Sequence, residues 1–228
     1  MKKTVVIHQP DFLPYLGFFH RLLSADLYIV FDNVQFLRRG WHHRDKIKTI
    51  NGEKWLTVGI KKAPQNTKIH DIYLAKDNWK TKHLEMIKNS YKKAAYYQEI
   101  YPYIQELYSK EFDKMVDFNM ASIQMLMKMF DIHINIELAS KHSFSSTANE
   151  LLVDLLKVVN ATEYLSGIGA KDYFDNKPFD EADIKVIWQN FEHPVYPQLH
   201  GNFIPYLSSI DLLFNCGIDK SRKILRSI

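Results

Sequence analysis

The chain has 228 residues, 46% of them hydrophobic and 25% charged, and its 30 Lys and Arg against 26 Asp and Glu leave a formal charge of +4. This is the profile of an ordinary globular protein, long enough to bury about 70% of its unfolded surface, and the small net charge argues against a nucleic-acid partner. A single cysteine, Cys216, excludes an intramolecular disulfide and an all-cysteine zinc site and fits a reducing compartment, so a cytoplasmic location is expected.

The start, Met1-Lys2-Lys3-Thr4-Val5-Val6-Ile7-His8, has a basic tip, but its apolar run is far short of the ~7–15 residues a secretory signal needs. No apolar run of ~18 residues follows, so no membrane insertion is expected. Residues 4–7 are β-branched and apolar, short enough for a buried strand that stops at His8-Gln9-Pro10, where Pro10 removes a ladder donor. Asp11 reads as a cap, and Leu16, Phe19, Leu22 and Leu23 recur at helical spacing, which predicts a helix over 13–24. Residues 27–31 form a second buried strand ending at Asp32-Asn33. The opening is therefore βαβ, and such a crossover implies parallel strands.

Residues 46–60 read as a hairpin about Asn51-Gly52, a strong two-residue turn signal. Residues 79–130 are helical, with Val116, Met120, Ile123, Met127 and Phe130 on one core-facing stripe. Met125, Met127 and Met129 read as packing. The βα rhythm then resumes: a strand over 134–138, a helix opened by the capping box Thr147-Ala148-Asn149-Glu150, a short strand over 163–165, and a fifth over 184–188. The expected fold is α/β: one open, mostly parallel Rossmann-like sheet with helices on both faces. A hairpin and helical insertion (45–130) follows the second strand, and 1–228 is expected to form a single domain.

In open parallel sheets the reactive crevice lies beyond the carboxyl ends of the strands. The predicted ends deliver His8-Gln9, Asp32-Asn33 with Gln35, Ser166-Gly167, and Gln189-Asn190. A strand-end histidine with a nearby carboxylate can serve as general base, which nominates His8 and Asp32. Ser166-Gly167-Ile168-Gly169, between a strand and a helix, suits an anion, although neither dinucleotide-binding nor phosphate-loop glycine spacing is present. The densest basic stretch runs from Arg38 to Lys48 around Trp41, and in it Arg44 and Lys48 are candidates to hold a diphosphate. His42 and His43 are adjacent and no H-x-x-x-H occurs among the 10 His, so no metal site is expected. Of the 14 Phe, 13 Tyr and 4 Trp, most read as core, whereas Tyr15, Phe36, Trp41, Tyr173 and Tyr196 lie in or beside the polar segments and suit stacking on a sugar or base.

Taken in order, these motifs resemble the WbqC-like family, proteins associated with bacterial O-antigen and other surface-polysaccharide gene clusters. The resemblance rests on His8-Gln9-Pro10-x-x-x-Pro14-x-Leu16-Gly17-x-Phe19, Phe31-Asp32-Asn33-Val34-Gln35-Phe36, Trp41-x-x-Arg44-x-Lys46-Ile47-Lys48, Trp55-Leu56-Thr57-Val58, Tyr164-Leu165-Ser166-Gly167 and Lys171-Asp172-Tyr173. It continues through Tyr196-Pro197-Gln198-Leu199-His200-Gly201-x-Phe203-x-Pro205 and Asp211-Leu212-Leu213-Phe214-Asn215. It implies a cytoplasmic role in making or modifying sugars for surface glycans and leaves the reaction open. With the strand-end convergence, it sets the expectation of acyl or aminoacyl transfer to an amine of a nucleotide-linked sugar. His8 would be the base, Asp32 its partner, and Gln9, Gln35 and Gln198 would hold sugar hydroxyls. Arg44, Lys48 and Ser166-Gly167 would grip diphosphate, and Tyr15, Trp41 and Tyr173 would stack. The cofactor is left open; an acyl donor such as a coenzyme A thioester, or ATP, is compatible with it. The alternatives are an ATP-using nucleotidylyl transferase or ligase and a non-catalytic sugar-binding subunit; a homo-oligomer is compatible with each.

Overall fold

Alternation along the first strand decides what each face of the sheet meets. In β1 (Thr4–His8), Val5 and Ile7 point one way and Val6 and His8 the other, because successive side chains of a strand alternate. A computed structural model describes residues 2–228, the side chains of 172 and 173 excepted. In it β1 pairs in parallel with β2 (Leu27–Val30) and with β6 (Glu163–Ser166). Outside these lie β5 (Asn135–Leu138), parallel to β2, and β7 (Lys185–Trp188), parallel to β6. The five-stranded order is β5-β2-β1-β6-β7. The chain thus winds outward in one direction from β1 through β2 to β5, then returns to start β6 on the other side of β1. That reversal makes the β1–β6 boundary the topological switch point.

Helices cover both faces, as the βαβ reading requires. Val6, Tyr28, Val30 and Leu165 pack into a core with α1 (Leu16–Leu23), α2 (Trp79–Tyr91), α3 (Tyr97–Ser109), α4 (Met115–Phe130) and α7 (Ile210–Arg226). Val5, Ile7, Leu27, Ile29 and Tyr164 pack instead against α5 (Ala148–Val158) and α6 (Lys177–Glu181). Of the predicted α4 stripe, Val116, Ile123, Met127 and Phe130 are buried, and Met120 is half-buried against the core.

Two local expectations are corrected. The hairpin of β3 (Arg44–Thr49) and β4 (Gly52–Thr57) pairs Thr49 with Gly52, so its turn centres on Ile50-Asn51 rather than Asn51-Gly52. Only Gly52 takes a left-handed φ, +86°, while Asn51 does not. One left-handed glycine after an ordinary turn makes the three-residue bulged connection rather than the two-residue type that needs two such residues. The capping box at Thr147 is not closed: its side chain makes no cap hydrogen bond, and Ala148 at φ 51° turns the chain away from the box geometry.

Candidate functional site

His8 ends β1 on the face that α1 covers, where its ring meets Phe18 edge-on at 5.3 Å. His8 Nδ1 lies 2.9 Å from the Gln9 carbonyl oxygen. A carbonyl only accepts, so Nδ1 carries the proton and the Nε2 lone pair is left for another donor. Burial, and next the charge of Arg21, drive His8 down to about 3 from 6.5, so the imidazole is neutral at physiological pH.

The carboxylate beside His8 is that of Asp11, with Oδ2 3.6 Å from Nδ1. Asp11 follows the strand end by one helical turn's worth of chain yet does not cap α1, whose N-terminus has no side-chain cap. Burial raises its carboxyl to about 7, against the lowering charge of Arg21. Burial separates these neighbours in opposite senses because desolvation disfavours whichever form is charged.

The loop from Gln9 to Tyr15 is held from several sides. Asn119 of α4 donates through Nδ2 to the carbonyls of Pro10 (2.8 Å) and His42 (2.7 Å), Ser208 Oγ donates to Leu13 O (2.6 Å), and the Ser209 amide donates to Pro14 O (3.0 Å). Leu13 is buried at φ 43°, a conformation that costs a bulky residue energy and persists only where surroundings enforce it. Gln9 Oε1 meets His42 Nδ1 at 2.9 Å. Tyr15 packs edge-on to Phe191, and a Cβ on Gly17 would stand 2.4 Å from its ring, so the glycine is what allows α1 to start beneath the tyrosine. Across the switch point, Ser166 is buried and its carbonyl accepts the Gln189 amide (2.8 Å), while Gly167 lies over the Arg21 guanidinium.

His8, Gln9 and Tyr15 on the β1 side and Ser166-Gly167 on the β6 side therefore flank one switch point. The other nominated residues are engaged elsewhere. Asp32 does not partner His8: its Oδ1 accepts the Ser140 amide (2.9 Å) and its Oδ2 the Ser140 hydroxyl (2.7 Å). It ends β2 and turns toward the chain leaving β5, the side of the sheet away from β6. Lys48 points into the helical layer, 1% exposed, where Gln198 Oε1, Gly201 O and Asn202 O take its protons. Gln198 is used up by this and by the backbone of Ile204. Arg44 donates through Nε to Arg39 O (3.1 Å) and lies 3.8 Å over the Trp55 ring, beside an exposed Trp41. Gln35 is exposed and donates to Gln65 O (2.9 Å), lining a separate hollow of about 400 Å³. Of the other aromatics proposed to stack, Phe36 and Tyr196 are buried, and the Tyr173 side chain lies outside the described residues. Among those residues no three His, Cys, Asp or Glu side chains gather to hold a metal. Cys216 is buried, which pushes its thiol up and suits an inert role.

Two residues of the cluster were not nominated from the sequence, Asp11 and Arg21. A signal existed for Arg21: at Phe18+3 and Gly17+4 it falls on the buried face of α1, where a cation is out of place. Asp11 carried none beyond its spacing of three from His8.

Fold and cluster together define a doubly wound α/β protein with a largely buried polar cluster at its switch point. The WbqC-like protein family model matches residues 9–223, and the chain belongs to that family. It is 30% identical over 222 residues to the uncharacterized protein Rv1507c of Mycobacterium tuberculosis (strain ATCC 25618 / H37Rv), the alignment covering 96% of each chain. No solved structure matches. Among the described residues no helix is long and apolar enough to cross a membrane.

Proposed function

We propose that the protein is an enzyme of bacterial surface-glycan (O-antigen) biosynthesis that transfers an acyl or aminoacyl group to an amine of a nucleotide-activated sugar. The observation that carries this reading is the His8–Asp11 pair, 3.6 Å apart, whose ionisations are pushed apart at the carboxyl ends of β1 and β6. A base works best when its pKa lies near the working pH. Asp11, at about 7, meets that condition and His8, at about 3, does not. The proton therefore goes to Asp11, and His8 Nε2 accepts a hydrogen bond that aims the amine. With a thioester donor such as an acyl coenzyme A, the amine nitrogen attacks the carbonyl carbon, the N–C bond forms and the C–S bond breaks. Asp11 takes the proton from nitrogen and returns it to the departing thiolate. Asp32, Lys48 and Gln198 act here as scaffold.

The test is incubation of the protein with nucleotide-linked amino sugars and a panel of acyl coenzyme A thioesters, read by mass spectrometry. An acylated sugar is expected, formed at a rate that rises with pH through about 7 and lost in Asp11→Asn. Release of pyrophosphate from ATP without acyl transfer would make the protein a nucleotidylyl transferase instead, and tight sugar binding without product would make it a recognition subunit.

A further inference from the structure

Arg21 stands on the second turn of α1, and side chains of a helix lean toward its N-terminus, which here is the end nearest the crevice. Its guanidinium reaches under Gly167, where a Cβ would stand 2.8 Å from Nη1, and its charge acts on His8, Asp11 and Tyr15. Yet Arg21 is only 6% exposed and its Nε has no hydrogen-bond partner. Among the described residues no partner is seen for the guanidinium, and Nη1 and Nη2, unlike the enclosed Nε, keep an open edge. Arginines are rarely buried unless paired, because an uncompensated buried charge is costly. An anion brought by a ligand would supply that partner.

The charge inventory selects the kind of anion. With the buried Asp11 carrying its proton, the one cation of the cluster balances a single negative charge, and a diphosphate or a phosphate dianion would leave surplus charge beside it. A carboxylate carries one charge and matches the planar guanidinium fork through two parallel N–H···O bonds. We infer that Arg21 anchors the carboxylate of a small substrate at the switch point, on the edge of the guanidinium that Gly167 leaves uncovered. This rests on reading the β1–β6 crevice as the reaction site, and it gives that site's substrate class: a carboxylic acid or a uronate sugar. Gly167 is part of the anchor, since a Cβ there would press on Nη1 and displace the guanidinium.

The test records the arginine Nε–H signals of the ¹⁵N-labelled full chain during titration with acetate, glucuronate, inorganic phosphate and UDP. The Arg21 signal is assigned by its loss in Arg21→Lys. Acetate or glucuronate is expected to shift it saturably; response to acetate points to an acid, and response to glucuronate alone to a uronate. The His8 ring signals follow binding in the variants, where Arg21→Lys and Gly167→Ala are each expected to weaken it about 10-fold with thermal unfolding unchanged. A shift driven by phosphate or UDP as readily as by the carboxylates overturns the carboxylate assignment, and no shift with any probe overturns the anchor. The titration reads binding alone, so carboxylate binding here combined with no product in the mass-spectrometric assay would sink the reaction proposed above and keep the anchor.

Discussion

Two buried polar clusters in this protein treat their charges in opposite ways. Around Lys48 the account closes: the three ammonium protons meet Gln198 Oε1 at 3.1 Å, Gly201 O at 3.2 Å and Asn202 O at 2.5 Å. Nearby Asp211, 0% exposed, accepts the Tyr91 hydroxyl (2.8 Å) and a proton of Asn215. These bonds tie the hairpin, α2, α7 and the 198–202 loop into one unit. Around Arg21 it stays open: a guanidinium whose enclosed Nε has no partner, a carboxyl raised to about 7 and a neutral imidazole with a free lone pair. Burial alone does not separate scaffold from site. A single unsatisfied neutral atom does not either, since Asn119 Oδ1 and Ser209 Oγ in the scaffold also lack partners; the sharper mark is a buried charge without a partner, which costs far more.

The largest effect expected from breaking this contrast is on the closed side. Lys48→Met strips three acceptors of their donor and should cost ~2–4 kcal/mol in urea unfolding; a loss under ~0.5 kcal/mol would erase the distinction. On the open side the signature is in pH. Asp11 holds its proton to about 7 in the folded chain against 3.8 ordinarily, so across that window the folded state binds more protons and stability falls as pH rises. His8 titrates at about 3 folded against 6.5 ordinarily, so its contribution rises with pH over that range. Asp11→Asn should therefore gain stability relative to wild type as pH climbs from about 4 to 7, by at most ~1.4 kcal/mol per unit. His8→Gln should lose stability relative to wild type from about 3 to 6.5. Unfolding curves at several pH values check both signs.

Smaller effects sharpen the border. Asp32→Asn weakens the clasp on Ser140 and should cost ~1 kcal/mol while leaving anion binding at Arg21 intact; loss of binding without loss of stability would return Asp32 to the site. Trp41→Ala, at an exposed position, should stay within ~0.5 kcal/mol of wild type and leave acyl transfer unchanged, as measured by unfolding and by turnover.

Much of the scaffold was legible in the sequence. The apolar runs at Val5-Val6-Ile7 and Leu27-Tyr28-Ile29-Val30 could only be strands buried on both faces, and the helical periods between strands imposed parallel pairing. The turn at Ile50-Asn51 was misread by one residue because the Asn-Gly signal does not say how many left-handed residues the loop will use. His8, Gln9 and Ser166-Gly167 were found because strand ends converge by topology. Asp32 and Lys48 misled for one shared reason: sequence shows that a charged residue is near a strand end or in a basic run, but not which neighbour its side chain turns to. Arg21 was overlooked among Phe18, Phe19 and Leu22, where the helix period alone marks the apolar neighbours and not the cation between them.

Whether the switch-point cluster is left open for a ligand is decided by the unfolding free energy of Arg21→Met without ligand. Replacing an unpartnered buried cation with an apolar side chain of similar length should leave stability at or above the wild-type value, because no native bond is lost and a desolvated charge is removed. A loss of ~2 kcal/mol or more, like that expected for Lys48→Met, would show that Arg21 is satisfied within the fold and would contradict the account.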